Sequence, residues 1–279
     1  MRLSGKRRLS HAATIRSKRT WLRSSPFFVW KCYDILRESF DGIAIEKAGG
    51  RMKAILFDMD GTLLDSQRAW YEAEVSYLED QGVDARDVDY ELLLTSGSQG
   101  VVEYLNDHLQ LELDAAQMRS NALERMEQFY ATTVEPKEGV REMLQVLQQL
   151  GIPMAVGSAT PGELCELALD TTRLRPYFDF VLSSSDNNID KSNAKFFAIA
   201  AERFGVSPDE VVLFDDALLA LRAAGELGYH TVGIADDGYP QDEDALRMTA
   251  DEFYYSFADL RTKEWADELG LNHALEDEQ

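Results

Sequence analysis

Two carboxylates stand two residues apart in the run Phe57-Asp58-Met59-Asp60-Gly61-Thr62-Leu63-Leu64-Asp65-Ser66. Held together, Asp58 and Asp60 can act as nucleophile and acid/base partner or hold a hard divalent cation, and these roles are compatible. The plainer reading is that Asp and Gly end a strand and begin a turn. Three further segments weigh against it. Ser158-Ala159-Thr160 follows an apolar run and offers hydroxyls and fresh backbone N–H groups that can take a phosphate oxygen, although before Pro161 it also reads as an ordinary helix start. Lys191 can neutralise a phosphate and a carboxylate at once, although most lysines are simply solvated. Asp215-Asp216 closes the apolar run 211–214, and since one Asp would suffice to cap a helix, the pair points to a metal site.

Each of these segments must be held by a regular element. Apolar runs at 54–57, 154–157, 178–182, 211–214 and 230–234 read as strands, and the residues between them recur at helical spacing. Val140, Met143, Leu144 and Leu147 share one helical face closed by Gly151, and a second helix over 193–204 ends at Gly205. Strands alternating with helices predict an α/β fold, a mostly parallel sheet covered on both faces, with Asp58 at the carboxyl end of its first strand, where such sheets bind ligands. The segment 67–135 breaks the rhythm. It offers helical patterns at 70–78, 100–109 and 115–130 and no convincing buried strand, which predicts an inserted all-helical domain with junctions at 64–66 and 134–139. The expected division is a basic extension over 1–51, an α/β core over 52–66 and 136–262, a helical cap over 67–135 and an acidic tail over 263–279.

Charge is uneven along the 279 residues. The net charge is −22, yet 1–51 carry 12 basic against 4 acidic residues, while the rest carries 16 against 46. An acidic body disfavours nucleic acid and anionic membrane as partners. No apolar run approaches the roughly 20 residues needed to span a bilayer. Cys32 and Cys165 are too few for a disulfide framework, so a reducing cytoplasm is the expected compartment. The basic start fits a targeting arm, a solvated tail or an over-extended reading frame with Met52 as the true beginning, and 27–40 could form a short amphipathic helix.

In this order the four segments resemble the motifs of the haloacid dehalogenase superfamily: D-x-D-G-T at Asp58-Met59-Asp60-Gly61-Thr62, a hydroxyl residue at Ser158, a lysine at Lys191 and an acidic pair at Asp215-Asp216. Their separations of 100, 33 and 24 residues suit the subgroup with a helical cap between the first two motifs. The resemblance runs from Met52 to about Leu260. It implies a Rossmann-like core under a mobile lid and hydrolysis of phosphate esters. Asp58 would attack phosphorus, and Asp60 would protonate the leaving oxygen and then activate water. Mg2+ would lie between Asp58, Asp216 and the Asp60 carbonyl with Asp215 adjacent, while Ser158, Thr160 and Lys191 would hold the phosphate.

There are departures from the pattern. Ser192, Ala194 and Lys195 stand where many relatives carry prolines and an acid, and Ala217 where many place a small polar residue. The loop expected at 95–100, with Ser98 and Gln99 as specificity residues, lacks the basic residue of some sugar-phosphate enzymes. A small phosphorylated metabolite with a neutral, hydroxylated leaving group is therefore the expected substrate. A β-phosphoglucomutase-like mutase is the weaker alternative, because no His lies between Asp65 and Gly82. A dehalogenase would lack the second acid, which Asp60 supplies. A non-catalytic binding protein on the same fold is separated by the completeness of the motif set.

Overall fold

In the computed structural model, which describes residues 52–84, 90–109, 111–236, 238 and 243–271 and, over 90–96, the backbone alone, the apolar runs become one six-stranded sheet. Its strands are β1 Ala54–Phe57, β2 Met154–Ser158, β3 Phe180–Ser183, β4 Val211–Asp215, β5 His230–Ile234 and β6 Glu252–Tyr254. All pair in parallel, in the order β3-β2-β1-β4-β5-β6. The chain moves outward from β1 through β2 to β3, then crosses back to β4 on the other side of β1. That reversal opens a crevice at the carboxyl end of β1, between its neighbours β2 and β4.

Alternation along β1 shows how the sheet is covered. Ile55 and Phe57 face one apolar cluster with Val140, Met143, Leu144 and Leu147 of helix α4, Val140–Gln149. Ala54 and Leu56 face another, with Phe196 and Phe197 of α7, Ala194–Phe204, and Leu221 of α8, Leu218–Leu227. Each fully buried side chain of this size stabilises by roughly 1.5–3 kcal/mol, so β1 is anchored through both faces. Helix α5, Gly162–Thr171, and the one-turn α6, Ser184–Asn187, follow β2 and β3, and α9, Glu243–Thr249, precedes β6.

Between β1 and α4 lie the three inserted helices: α1 Gln67–Asp80, α2 Tyr90–Leu109 and α3 Ala115–Thr132. They share a small cluster including Val75, Leu78, Val101, Leu105 and Met118. The other face of α3 presents Ala122, Met126 and Tyr130 to the main core. The outgoing and returning strands of the insert run side by side, with Leu64 bridged to Pro136, Asp65 N–H bonded to the Glu135 carbonyl and Lys137 N–H to that of Leu63.

Three expectations are corrected. The strand at 178–182 begins at Phe180, because Arg175–Tyr177 forms a 3-10 turn that consumes the preceding residues. The stretch 95–100 is no open loop but part of α2, bent at Gly97, whose φ of 59° and ψ of −173° only glycine adopts at little cost. The supposed tail after 262 starts with helix α10, Thr262–Glu268, whose Trp265 is buried against Phe214. β6 is an addition, a three-residue edge strand too short and too charged to stand out. The extension over 1–51, with the helix expected at 27–40, lies outside the described residues, as does 272–279.

Candidate functional site

The parallel ladder puts Phe57 opposite Phe214, and the Asp58 N–H continues it by donating to the Phe214 carbonyl at 2.8 Å. Asp58 therefore emerges beside Asp215. Lys191 reaches both, its Nζ lying 2.5 Å from Asp58 Oδ1 and 2.7 Å from Asp215 Oδ2. Asp58 and Asp215 are buried, and the Lys191 side chain is only 11% exposed. Burial alone would lower the Lys191 pKa, but Asp215 and Asp58 outweigh it and hold the ammonium above its ordinary value. Asp58 is driven the other way. Burial, with Asp215 and Asp216 adding repulsion, raises its carboxyl well above the usual range despite Lys191.

One oxygen of this cluster is unsatisfied. Among the described residues, Asp58 Oδ2 is the buried side-chain oxygen or nitrogen left without a hydrogen-bond partner. Such a group costs about 1–3 kcal/mol unless something else meets it. Carboxylate oxygens of Asp58, Asp215 and Asp216 lie within 4.8 Å of one another, a donor set suited to a hard cation. Asp216 is pushed up to about 7, by burial first and then by Asp215 and Asp236, against Lys137 and Lys191. Its oxygens accept from Thr62 Oγ1 at 3.2 Å and Gln67 Nε2 at 3.2 Å, and the same Gln67 amide lies 2.9 Å from the Asp60 carbonyl. The orphaned oxygen, the three converging carboxylates and that carbonyl fit a divalent metal. Asp215 is the least available of them, since Lys191 and the Ala217 N–H already occupy its two oxygens.

Asp60 sits differently. The strand stops at Phe57, and the turn that follows aims the Asp60 carboxylate away from the metal set. Its Oδ1 accepts from Ser66 Oγ at 2.6 Å and Tyr130 OH at 2.5 Å, and its Oδ2 from Thr160 Oγ1 at 2.8 Å. Tyr130 in turn accepts from Trp70 Nε1 at 3.0 Å. The helical insert thus grips the second carboxylate of the motif through α3 and α1.

Of the other expected residues, Ser158 ends β2, buried, with its Oγ accepting the Thr160 N–H at 3.1 Å. Thr160 faces Asp60 rather than standing free. Ser98 is buried and donates to Glu74 Oε1 at 2.9 Å, while Gln99 is exposed and turned onto Glu103 of its own helix. Burial raises the Glu74 carboxyl, partly offset by Ser98 and Arg119. The sequence reading missed Gln67, Glu74, Tyr130, Lys137 and Asp236. Lys137 was visible only as the neighbour of Pro136 in a junction, and Tyr130 only as the end of an amphipathic pattern.

A family model for the haloacid dehalogenase-like hydrolases matches residues 52–228, the stretch that carries every strand-end group described above except Asp236. The chain belongs to the haloacid dehalogenase-like hydrolases. It is 24% identical over 191 residues to a phosphorylated carbohydrates phosphatase of Thermotoga maritima, across 67% of this chain and 88% of the relative. It is 28% identical over 200 residues to the fructose-1-phosphate phosphatase YqaB of Escherichia coli, across 66% and 97%. Among solved structures, CbbY of Rhodobacter sphaeroides in complex with phosphate superposes with a TM-score of 0.64 at 25% identity, across 75% of this chain and 96% of that one. Among the described residues no helix is long and apolar enough to cross a membrane.

Proposed function

We propose that this chain is a Mg2+-dependent phosphatase of small phosphomonoesters that works through an aspartyl-phosphate on Asp58. The observation that carries the reading is the asymmetry of Asp58. Lys191 fixes Oδ1, while Oδ2 is buried, unpartnered and beside two further carboxylates. An oxygen in that state is poised to meet both a metal and an electrophile.

Asp58 Oδ2 attacks phosphorus as the bond from phosphorus to the ester oxygen breaks. Asp60 supplies the proton to the departing oxygen. Water then attacks the phosphorus of the aspartyl-phosphate, giving its proton to Asp60, and the bond to Oδ2 breaks to release phosphate. Lys191 and the Ser158 hydroxyl neutralise and orient the phosphoryl oxygens. Asp58, Asp216 and the Asp60 carbonyl would hold Mg2+, with Asp215 adjacent. Mg2+ supplies charge neutralisation for the gathering of a phosphate and several carboxylates. The residues 67–135 act as the lid, a role supported by their own apolar cluster and by the paired linkers at 64–66 and 134–139. Closure would exclude water and large leaving groups.

For the substrate we favour a sugar or polyol phosphate. The two phosphatases named above are, by name, enzymes of phosphorylated carbohydrates. The phosphomutase alternative gains no support from the geometry, because Asp60 is bound by hydroxyls and no His among the described residues donates to or accepts from it. The test is hydrolysis of an aryl phosphate and a phosphometabolite panel, with Mg2+ or a chelator, by wild type and Asp58→Asn. Turnover is expected only with wild type and Mg2+, and the variant is expected to melt within a few degrees of it. Full activity under exhaustive chelation, or wild-type rates in the variant, refutes the reading.

A further inference from the structure

A second largely sheltered ammonium lies near the candidate site and belongs to no motif. Lys137 Nζ contacts the Gly61 carbonyl at 2.7 Å, the Ala235 carbonyl at 2.9 Å and Asp236 Oδ2 at 2.7 Å. An ammonium has three protons, so these acceptors use all of them. Lys137 therefore has none left to hold a phosphate oxygen. The pair is well sheltered, with side-chain exposures of 15% for Lys137 and 0% for Asp236. A buried pair of this kind is weak evidence for stability, since desolvation can offset the attraction. Its three acceptors suggest another use.

They come from two loops at the carboxyl edge of the sheet, and Lys137 itself comes from a third segment, the returning linker of the insert. The Gly61 carbonyl belongs to the peptide whose N–H is that of Thr62. Holding that peptide plane aims Thr62 Oγ1 at Asp216 Oδ1 and fixes, one residue back, the direction of the Asp60 carbonyl. Gly61 has φ +84° and turns inside the narrow loop closed by Gly61 N–H to the Leu64 carbonyl at 2.9 Å. Asp236 is itself tied down by the Gly238 N–H at 2.8 Å.

We propose that Lys137, seated by Asp236, is a positioning residue for the metal site: it locks the Gly61 turn so that the Asp60 carbonyl and the Asp216 carboxylate converge. This rests on the metal-binding part of the function proposed above. Groups that orient metal ligands from behind typically change affinity by about 10–100-fold when removed.

The experiment is calorimetric titration of the full chain with MgCl2 and no substrate, on wild type, Lys137→Met and Asp236→Asn, with melting temperatures recorded alongside. Positioning requires both variants to bind Mg2+ more weakly, Lys137→Met by about tenfold or more and Asp236→Asn by less, each at a temperature where it is folded. If charge alone mattered, removing the cation would tighten Mg2+ and removing the anion would weaken it, and such opposite shifts overturn the proposal. Wild-type affinity in folded Lys137→Met, with only the melting temperature lowered, overturns it too. Should Lys137→Met not fold, Lys137→Arg decides: it keeps the charge but cannot meet the three acceptors in the same geometry, so weaker Mg2+ binding supports positioning and wild-type or tighter binding counts against the proposal. Wild type that binds no Mg2+ refutes the metal reading itself, whereas wild type that binds Mg2+ normally but hydrolyses nothing leaves this inference standing while the phosphatase reading falls.

Discussion

Asp58 and Asp60 are two residues apart, yet their surroundings separate their chemistry. Asp58 is left with a bare oxygen, whereas three hydroxyls converge on Asp60. Among those hydroxyls Tyr130 is the one delivered by the helical insert. Removing its oxygen leaves Asp60 one donor short and strands the Trp70 N–H inside the protein. The loss of one such bond is worth about 1–2 kcal/mol, so Tyr130→Phe should cut kcat roughly tenfold while KM changes little. Steady-state kinetics on an aryl phosphate check this. An unchanged kcat would show that the Tyr130 contact is packing alone. Burial of the ring is retained in Phe, so the fold itself should persist, with a melting temperature lowered by a few degrees.

At the scale of elements, the turn after β1 depends on one glycine. Gly61 combines φ +84° with a close approach, since a Cβ there would lie 2.5 Å from Asp216 Oδ2. Gly82, at the end of α1, has nearly the same φ, +85°, with nothing within 4 Å of its own would-be Cβ. The pair separates backbone strain from crowding. Gly82→Ala should cost only the left-handed penalty, about 1–2 kcal/mol, and leave turnover intact, whereas Gly61→Ala should abolish Mg2+-dependent turnover. Comparable activity in the two variants would contradict the role given to the turn. The same elements explain what the sequence made legible. Asp58, Ser158 and Asp215-Asp216 follow apolar runs, and a run of that kind in a parallel sheet can only be a buried strand, so their shared edge could be inferred. Lys191 has no such run before it and stood out only as a lysine able to neutralise a phosphate and a carboxylate at once, a role the resemblance then reinforced. Tyr130 and Lys137 fell within an expected helix and junction but carried no sign of a role in the site, because a helical Tyr reads as core and a Lys as surface until the fold supplies their partners. Boundaries shifted where local hydrogen bonding overrode apolar pattern, as in the 3-10 turn before β3 and the bend at Gly97.

For the whole molecule the governing quantity is acidic charge, −22 over the chain and concentrated after residue 51. A body of that sign repels polyanions and favours a single small phosphate met by local cations. The same charge makes the metal a stability question. Without a cation, burial and neighbouring carboxylates push Asp216 up to about 7 from an ordinary 3.8, and they raise Asp58 as well. Between those values the folded protein binds more protons at these groups than the unfolded chain does. The Asp216 contribution to stability is therefore fully present below the ordinary carboxylate pKa and is lost as pH rises through about 7, and Asp58 acts in the same direction. On the proposed reading Mg2+ would bind the ionised forms, so its binding would release protons and grow stronger over the same interval. The expected outcome is a gap in melting temperature between saturating MgCl2 and chelator that widens from about pH 5 to about pH 8 and then levels off. Taking the difference at each pH removes the titration of the remaining surface carboxylates, which is common to both samples. Asp216→Asn should flatten the pH dependence, because the amide has no proton to release. A gap that is constant across the interval in wild type would mean that Asp58 and Asp216 are already ionised without metal, and the electrostatic account of the site would fail.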